Sequence, residues 1–452
     1  MDVLQLKRVY FVGIGGIGMS ALARFFKQRN AIVAGYDLTE TDLTKKLVNE
    51  GLEIIYTDDI NLVDKDAELV VYTPAIPKNN AILNWYRDNN YPVYKRSDVL
   101  QWITEAFFAV TVAGTHGKTT ISTMTAYLLR EAGEGCNAFL GGIAVNYQSN
   151  YWSSDNKTAV IEADEYDRSF LKLFPDVAIL TAMDADHLDI YGTAEEVEKA
   201  FIQYTGNIKP GGTLIAKHGL KRSADLNGST ILTYSLQNDA ADIYASNIVQ
   251  KNGEYNFNVI GNGWMISDVH LPIGGMHNIE NAVAAIAVTQ LLSIDGNRVK
   301  DALAKFKGVK RRFEYIIKTE KTVFIDDYAH HPEELASLIK SAKRLFAGKK
   351  CVIAFQPHLY SRTNDFAQGF ADSLSLADEV ILLDIYPARE LPMEGATSKM
   401  IVDKMSNKVA TVLSKEGLLE YVKVSPAELF ITAGAGDIDK LVNPIKEIIL
   451  NK

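Results

Sequence analysis

The sequence predicts an α/β protein of three domains. Three observations predict it. Buried, β-branched runs alternate with segments of helical periodicity along most of the 452 residues; two glycine-rich turns, at 13–18 and 114–117, each follow such a run and open a helix; and one interruption, 212–273, switches to short strands of alternating polarity. Repeated strand–turn–helix units build parallel sheets that gather ligands at the carboxyl ends of their strands.

The bulk composition agrees. At 47% hydrophobic and 23% charged, the chain is an ordinary globular enzyme with several cores to bury. A formal net charge of −9 disfavours nucleic acid and anionic membrane as general partners. Two cysteines, Cys136 and Cys351, are too few and too scattered for a disulfide framework, which fits a reducing cytoplasm. No apolar run approaches the roughly 20 residues of a membrane span, and strand-like sequence begins by residue 8 with no signal-peptide pattern ahead of it. The expected setting is cytoplasmic, with no membrane and no nucleic-acid partner.

In chain order, 8–13 reads as a buried strand running into Gly13, Gly15, Gly16 and Gly18, then a helix carrying Met19, Leu22, Phe25 and Phe26. A second strand ends at Asp37, the distance at which a dinucleotide fingerprint places an acid for a ribose hydroxyl. A nucleotide-type site follows; a dinucleotide and a nucleotide-sugar diphosphate both present a pyrophosphate to a helix N-terminus, and both stay open. The alternation continues through 68–77, where Thr73, Pro74 and Pro77 mark the end of a strand, and through YPVYKRS to a helix near 97–105. The first domain is placed at 1–105.

The second, 106–311, is organised around FFAVTVAGTHGKTT (107–120). A β-branched run meets Gly114, Thr115, His116, Gly117, Lys118, Thr119 and Thr120, and Ile121, Met124, Thr125, Leu128 and Leu129 then recur at helical spacing. This is the layout of a phosphate-binding loop for ATP: free N–H groups at the helix N-terminus cradle phosphate, Lys118 reaches the terminal phosphates, and the Thr119 hydroxyl ligates Mg²⁺. The usual glycine five residues before Gly117 is Val112 here. The bland alternative is a tight strand-to-helix turn with a solvated lysine. Further strands end in Glu162 and Asp164 and in Asp184, Asp186 and His187. Glu162 is the first choice for holding a divalent cation; His187 is a poor ligand for hard Mg²⁺ but belongs to the same cluster. The segments GTLIA, STILTYS, DIYASNIVQ, EYNFNVI and ISDVHLP predict an antiparallel extension, with KNGEY as a hairpin turn. His277, Asn278 and Asn281 open an alanine-rich helix, and Arg311 and Arg312 are either a phosphate clamp or a solvated basic patch.

The last region, 312–452, predicts a doubly wound domain with strands in TVFIDDYA, CVIAFQPH, EVILLDIYP and ELFITAGAG. Each ends in polar or glycine residues, among them Asp326, Asp327, Tyr328, His330, His331, His358, Arg362, Arg389 and Asp437, so a binding site is expected at that edge.

Taken together in this order, GIGGIGM, AGTHGKTT, EADEYDRSF, DADHLD, GMHNIENAVAA, RRFEY, DDYAHHPEE, FQPHLYSRT and DIYPAREL resemble the Mur ligases, which build the peptide of bacterial cell-wall precursors. The resemblance runs the length of the chain and is strongest to the branch that adds L-alanine to UDP-N-acetylmuramate. It implies an N-terminal Rossmann-like domain for the UDP-sugar, a central P-loop ATPase-type domain with the antiparallel extension, and a C-terminal doubly wound domain for the amino acid. Carried over by position, Gly13, Gly15, Gly16 and Gly18 face the UDP diphosphate, with Asp37 and Thr73 beside them. Residues Gly114 to Thr120, with His277, Asn278, Asn281, Arg312 and Asp327, meet ATP. Thr119, Glu162 and His187 hold Mg²⁺ or Mn²⁺, and Tyr328, His330 and Arg362 serve the L-alanine end. Lys118, Arg312, His330 and Arg362 are the implied catalytic set, acting through an acyl phosphate, with His330 as general base. A monomer or weak homodimer is expected. Later-acting relatives carry a carbamylated lysine; Lys199 is the nearest lysine here and is not assigned that role. Where many alanine-adding relatives have a second arginine, between the histidine and tyrosine of the QPH segment, this chain has Leu359.

Three other functions share parts of the pattern. A recycling ligase attaches a whole murein peptide to the same UDP-sugar, a nicotinamide oxidoreductase fused to an ATPase would use the N-terminal glycines, and a non-catalytic ATP-gated sensor of UDP-sugars would reuse the fold.

Overall fold

The computed structural model describes residues 3–451 except 186, 389, 407, 408 and 426, and of 188 and 189 only the backbone. Asp186 and Arg389 therefore lie outside the described residues.

The N-terminal sheet is built from β1 (Arg8–Val12), α1 (Ile17–Gln28), β2 (Ile32–Tyr36), α2 (Asp42–Asn49), β3 (Glu53–Ile55), β4 (Leu69–Tyr72), α3 (Ala81–Asp88), β5 (Val93–Lys95) and α4 (Arg96–Ala106). Its order is β3-β2-β1-β4-β5, with all four pairings parallel. Strand order reverses between β1 and β4, and Gly13 and Thr73 follow the carboxyl ends of these two strands, the place where such sheets gather ligands. Alternation along β1 serves both faces: Val9 and Phe11 join the core under α1, while Tyr10 and Val12 join Ile82, Leu83 and Tyr86 of α3.

The central sheet comprises β6 (Phe108–Ala113), α5 (Lys118–Glu131), β7 (Asn137–Ala144), β8 (Ser149–Trp152), β9 (Thr158–Glu162), β10 (Val177–Leu180), α6 (Leu188–Tyr191), α7 (Ala194–Thr205), β11 (Thr213–Lys217), β12 (Thr230–Ser235), β13 (Ile243–Lys251), β14 (Glu254–Gly261), β15 (Trp264–Leu271), α8 (Met276–Leu291) and α9 (Gly296–Leu303). Its ten strands run β15-β14-β13-β12-β11-β10-β6-β9-β7-β8. The expected antiparallel extension is shorter than its sequence pattern. GTLIA and STILTYS form β11 and β12, which continue the parallel ladder, and β12 still pairs parallel with the start of β13. Only β13 to β15 turn back through two-residue connections, which force antiparallel neighbours. The first of these, Asn252-Gly253, has φ of +52° and +74°, the left-handed pair of a type I′ hairpin turn, as KNGEY predicts.

The helix α1 is not confined to its own sheet. Phe25 packs against Phe139 of β7 at 5.3 Å and edge-on to Tyr151 of β8 at 6.4 Å. Arg24, 5% exposed, pairs with Glu50 and reaches Asn150, whose fully buried amide bonds the Ile17 carbonyl and the Ser20 hydroxyl. One apolar cluster accordingly runs from Phe11 and Phe25 to Ile161 and Leu214.

The C-terminal sheet is built from β16 (Glu314–Lys318), β17 (Val323–Asp327), α10 (Pro332–Leu345), β18 (Cys351–Phe355), α11 (Tyr360–Asp365), α12 (Ala367–Leu374), β19 (Glu379–Leu382), α13 (Ser398–Lys404), β20 (Ala410–Val412), α14 (Lys415–Val424), β21 (Leu429–Ala433) and α15 (Val442–Leu450). Its order is β16-β17-β21-β18-β19-β20; β16 is antiparallel to β17 and the other pairings are parallel. The chain divides into two compact units, Met1–Ser246 with Asn258–Val269 and Glu280–Lys305, and Asn247–Phe257 with His270–Ile279 and Phe306–Lys452. Cys136 and Cys351 are free, and burial pushes each thiol up to about 12, so neither is a nucleophile at neutral pH. Among the described residues no helix is long and apolar enough to cross a membrane.

Candidate active site

The turn at 114–117 is closely fitted around two glycines. Gly114 leaves β6 at φ +122°, and a Cβ on it would lie 2.1 Å from the Thr181 hydroxyl and 2.7 Å from the Ala182 nitrogen. Gly117, at φ +79°, caps α5 in the left-handed region without any side-chain cap, leaving the first N–H groups of the helix facing out. A Cβ on Gly117 would come 2.9 Å from the Asn281 amide oxygen, so Asn281 lies against this turn. The Thr181 hydroxyl donates to the His116 carbonyl, and the Thr115 hydroxyl accepts from the Asp184 amide at 3.3 Å. His116 itself faces solvent, 3.7 Å from an equally exposed Asp184.

Within this loop Lys118 donates to the Gly114 carbonyl and to Glu165, each at 2.8 Å. Glu165 is 2% exposed, and its second oxygen has no hydrogen-bond partner among the described residues. Burial pushes the Glu165 carboxyl up while Lys118 pulls it down. A buried carboxylate held by one ammonium is costly to strand, so the pair is a lock on the lysine. Glu165→Gln is expected to release Lys118 for phosphate and tighten ATP binding several-fold, read by titration with ATP alone; unchanged or weaker binding contradicts the lock.

Thr119 donates to Glu162 at 2.9 Å, and the other Glu162 oxygen accepts from the Gly141 amide at 2.9 Å. A Cβ on Gly141 would sit 2.4 Å from that carboxylate, so glycine is what lets Glu162 lie here. A hydroxyl and a carboxylate side by side are hard oxygen donors that suit Mg²⁺ or Mn²⁺. His187, at φ +50°, turns its Nε2 toward Glu165 at 3.9 Å and its ring onto Tyr166. No cluster of three or more His, Cys, Asp or Glu groups with metal-binding geometry occurs among the described residues.

At the N-terminal turn Gly13 has φ +88°, and a Cβ there would press on Thr73 and Ile76 at 3.0 Å. Asp37 accepts from the Gly15 amide at 2.8 Å and from Thr39 at 3.2 Å, so its carboxylate ties the glycine turn to β2. Gly16 caps α1 without a side-chain bond, and no acid occupies the first turn of that helix.

In the second unit the carboxyl edge of the C-terminal sheet collects the remaining candidates. Asp327 accepts from the Phe313 and Ala329 amides at 2.6 and 2.7 Å; burial pushes its carboxyl up against the pull of Arg312. Arg311, expected beside Arg312 as a phosphate clamp, is committed internally. It bonds the Gly434 carbonyl and pairs with Asp326 at 3.3 Å and Asp439 at 3.6 Å. Arg312 is the exposed one, over the Tyr328 ring at 5.4 Å. His330 donates from Nδ1 to the Tyr328 carbonyl at 3.0 Å, which leaves the Nε2 lone pair free. Burial lowers its pKa more than Glu334 raises it, and Arg362 and Arg312 lower it further. Arg312 acts through space on both Asp327 and Glu334, holding their carboxyls down against burial. Asn278 is buried and bonds the Gly274 carbonyl at 2.6 Å, a helix-start role, while His277 lies on the surface against Gly275. A cavity of about 660 Å³ lined by Lys321, Lys349, Val422 and Phe430 opens at the other end of these strands and holds none of the candidates.

Three family models match consecutive stretches: the Mur ligase family catalytic domain over 8–108, the Mur ligase middle domain over 112–289, and the Mur ligase glutamate ligase domain over 311–436. The chain belongs to the Mur ligase family. A relative from Porphyromonas gingivalis called UDP-N-acetylmuramate--L-alanine ligase is 47% identical over 452 residues, spanning 98% of this chain and 99% of the relative. One of the same name from Flavobacterium johnsoniae is 43% identical over 453 residues, spanning 99% of each. Among solved structures, the UDP-N-acetylmuramate-alanine ligase of Thermotoga maritima has a TM-score of 0.81 at 31% identity over 98% of this chain and 99% of that one. A murein peptide ligase from Psychrobacter arcticus, at TM-score 0.68 and 22% identity over 97% and 99%, shares the fold.

Sequence reasoning overlooked several groups of this Mur ligase. Glu165 sits inside a quoted motif but only its contact with Lys118 sets it apart. Gly141 and the β7–β8 hairpin carried no motif. In the Mur ligase C-terminal unit, Glu390 bonds the Ser361 amide at 3.0 Å and so holds the start of α11, which carries Arg362. His358 stacks on Tyr386 at 5.8 Å. Leu359 heads α11 at φ +68°, a conformation that ordinary side chains adopt at a cost. Lys199 bonds Glu195 and Glu196 on the exposed face of α7.

Proposed function

We propose that this Mur ligase joins L-alanine to the lactyl carboxylate of UDP-N-acetylmuramate with cleavage of ATP to ADP and phosphate, a step of peptidoglycan precursor synthesis in the cytoplasm. The observation that carries the proposal is end-to-end identity of 43–48% to relatives of that name. The P-loop geometry supports the use of ATP.

A carboxylate does not condense with an amine in water, so it must first be activated. A lactyl oxygen bonds the γ-phosphorus as the bond to the β-bridging oxygen breaks, giving an acyl phosphate and ADP. Lys118 and the uncapped amides of α5 stabilise the charge that develops on phosphate, and Arg312 adds a second cation. A divalent cation, held by Thr119 and Glu162 when bound, supplies further charge neutralisation. The alanine nitrogen then attacks the carbonyl carbon, and the C–O bond to phosphate breaks. Arg362 binds the alanine carboxylate, and Nε2 of His330 takes the ammonium proton. Because His330 has a pKa below the ordinary 6.5, it is a free base at neutral pH. Activity should therefore fall only as pH drops below about 6.5. In His330→Asn that acid limb of kcat/KM disappears and kcat falls roughly 10²-fold; a retained limb assigns the base elsewhere.

The deciding experiment measures phosphate release with Mg²⁺ and ATP, adding UDP-N-acetylmuramate, L-alanine, both, or the sugar with a tripeptide. Release only with sugar and L-alanine together is expected. Release with the tripeptide but not alanine would instead indicate the recycling ligase, and binding of UDP-sugar and ATP without turnover in any mixture a sensor.

A further inference from the structure

Arg362 sits on a helix that cannot hold itself in place. α11 is six residues long, it receives no side-chain cap from Leu359, and Leu359 enters it at φ +68°, where a leucine is strained. So short a helix is marginal in isolation, and contacts from outside must fix its direction. In the connection after β19, Ala388 is strained as well, at φ +49°. Strained residues persist only where their surroundings over-determine them, and these two flank one seam.

The seam is made by the loops that follow β18 and β19. His358 and Tyr386 form a parallel bridge, in which the Tyr386 amide donates to the Pro357 carbonyl at 2.8 Å and the Leu359 amide to the Tyr386 carbonyl at 2.9 Å. From Pro387 to Gly395 the described residues of the second loop are exposed, with one exception. Glu390 is half-buried, and its amide closes a turn on the Pro387 carbonyl at 2.9 Å. Both of its carboxylate oxygens go to Ser361: Oε2 accepts from the amide at 3.0 Å and Oε1 from the hydroxyl. The Ser361 hydroxyl, and after it the amides of Ser361 and Tyr360, hold the Glu390 carboxyl below its ordinary range against a cost of burial, so the contact is charge-assisted at neutral pH. An ionised carboxylate there also suits the positive end of the helix. Glu390 is the cap that Leu359 cannot supply, delivered from 29 residues along the chain.

We infer that Glu390 is a positioning residue for the amino-acid step: through the amide and hydroxyl of Ser361 it fixes the first turn of α11 and so aims Arg362, one residue on, at the carboxylate of the incoming amino acid. This rests on the reading that Arg362 binds that carboxylate. A guanidinium fork pairs with a carboxylate over a narrow range of directions, so a helix start left free to turn weakens the hold on the amino acid and leaves the nucleotide and the sugar untouched. Glu390 acts through the arginine and not on the substrate.

The test uses steady-state kinetics of the full-length protein, varying L-alanine, ATP and UDP-N-acetylmuramate in turn. Glu390→Ala should raise KM for L-alanine roughly tenfold, the size expected of a lost charge-assisted hydrogen bond, with kcat at saturating alanine and both other KM values close to those of the parent. Glu390→Gln keeps an acceptor for the Ser361 amide and should recover most of the loss. Ser361→Ala leaves the amide bond in place and should lose less than Glu390→Ala; should Glu390→Ala not fold, the same rise in alanine KM alone is required of Ser361→Ala. Arg362→Ala and the double variant complete a cycle in kcat/KM for L-alanine: once Arg362 is gone, removing Glu390 should change little further. Independent losses in that cycle would mean that Glu390 does not work through Arg362. A rise in all three KM values would mean that it only braces the fold, and an unchanged alanine KM in Glu390→Ala that α11 holds itself; each of the three overturns the inference. If Arg362→Ala alone leaves kcat/KM for L-alanine unchanged, it is the reading of Arg362 that fails, and the inference falls with it.

Discussion

Replacing Lys118 with methionine is expected to lower kcat for phosphate release by roughly 10³-fold, about 4 kcal/mol of transition-state stabilisation. The side chain keeps its length and loses its charge, so the loop survives and only the electrostatics change. In the free protein the ammonium is shared between the Gly114 carbonyl and Glu165. Methionine leaves Glu165 buried with no cation, and that carboxyl, already pushed up by burial, then takes a proton. The sign of a side effect follows. The folded state of the variant binds this proton more tightly than the unfolded chain does, so its stability should decline as pH rises from the ordinary carboxylate range toward the raised value. Thermal melts across pH 5 to 8 would show a steeper decline for Lys118→Met than for the parent. A variant with near-normal turnover would remove Lys118 from the chemistry.

The second large effect belongs to Gly114→Ala. A methyl group there meets the Thr181 hydroxyl at 2.1 Å and two backbone nitrogens at 2.7 and 2.9 Å. Backbone cannot step aside as a flexible side chain can, and φ of +122° is itself hostile to alanine. A destabilisation on the order of 3 kcal/mol is expected. Because Thr181 also fixes the His116 carbonyl, the whole turn should shift, and ATP binding should be lost even in molecules that fold. Melting temperature and ATP titration read the two effects separately. Gly192→Ala, with no atom within 4 Å of the added carbon, is the comparison that isolates the clash from the backbone term.

How much of this was legible beforehand depends on what kind of signal each feature leaves. The strand–loop–helix at 108–131 announces itself because glycine, lysine and threonine must stand at fixed offsets for backbone geometry and phosphate chemistry alike. Glu162 is legible only as the acid that ends a strand, and the fold is what sets it beside Thr119. The parallel pairing of β11 and β12 leaves no such signal, because alternation of polar and apolar residues reports one exposed face, and both ladder types allow that. The three-residue strand β20 is too short to carry a period. Glu390, Glu165 and Gly141 are invisible in a linear reading: each matters through a neighbour 29, 47 or 21 positions away. Arg311 and Arg312 are adjacent and chemically identical, and only the fold shows that one is paired with Asp326 while the other lies exposed over Tyr328.

The seating of Phe25 in the β7–β8 hairpin bears on whether this enzyme can be cut at its seams. Family descriptions divide the chain between 108 and 112, as if the first hundred residues were a detachable cassette. Expressed alone, that fragment would present Phe25 to water and strand Arg24 without Asn150. Insolubility is the natural fate of such a piece, and swapping it between relatives should succeed only when the hairpin travels with it.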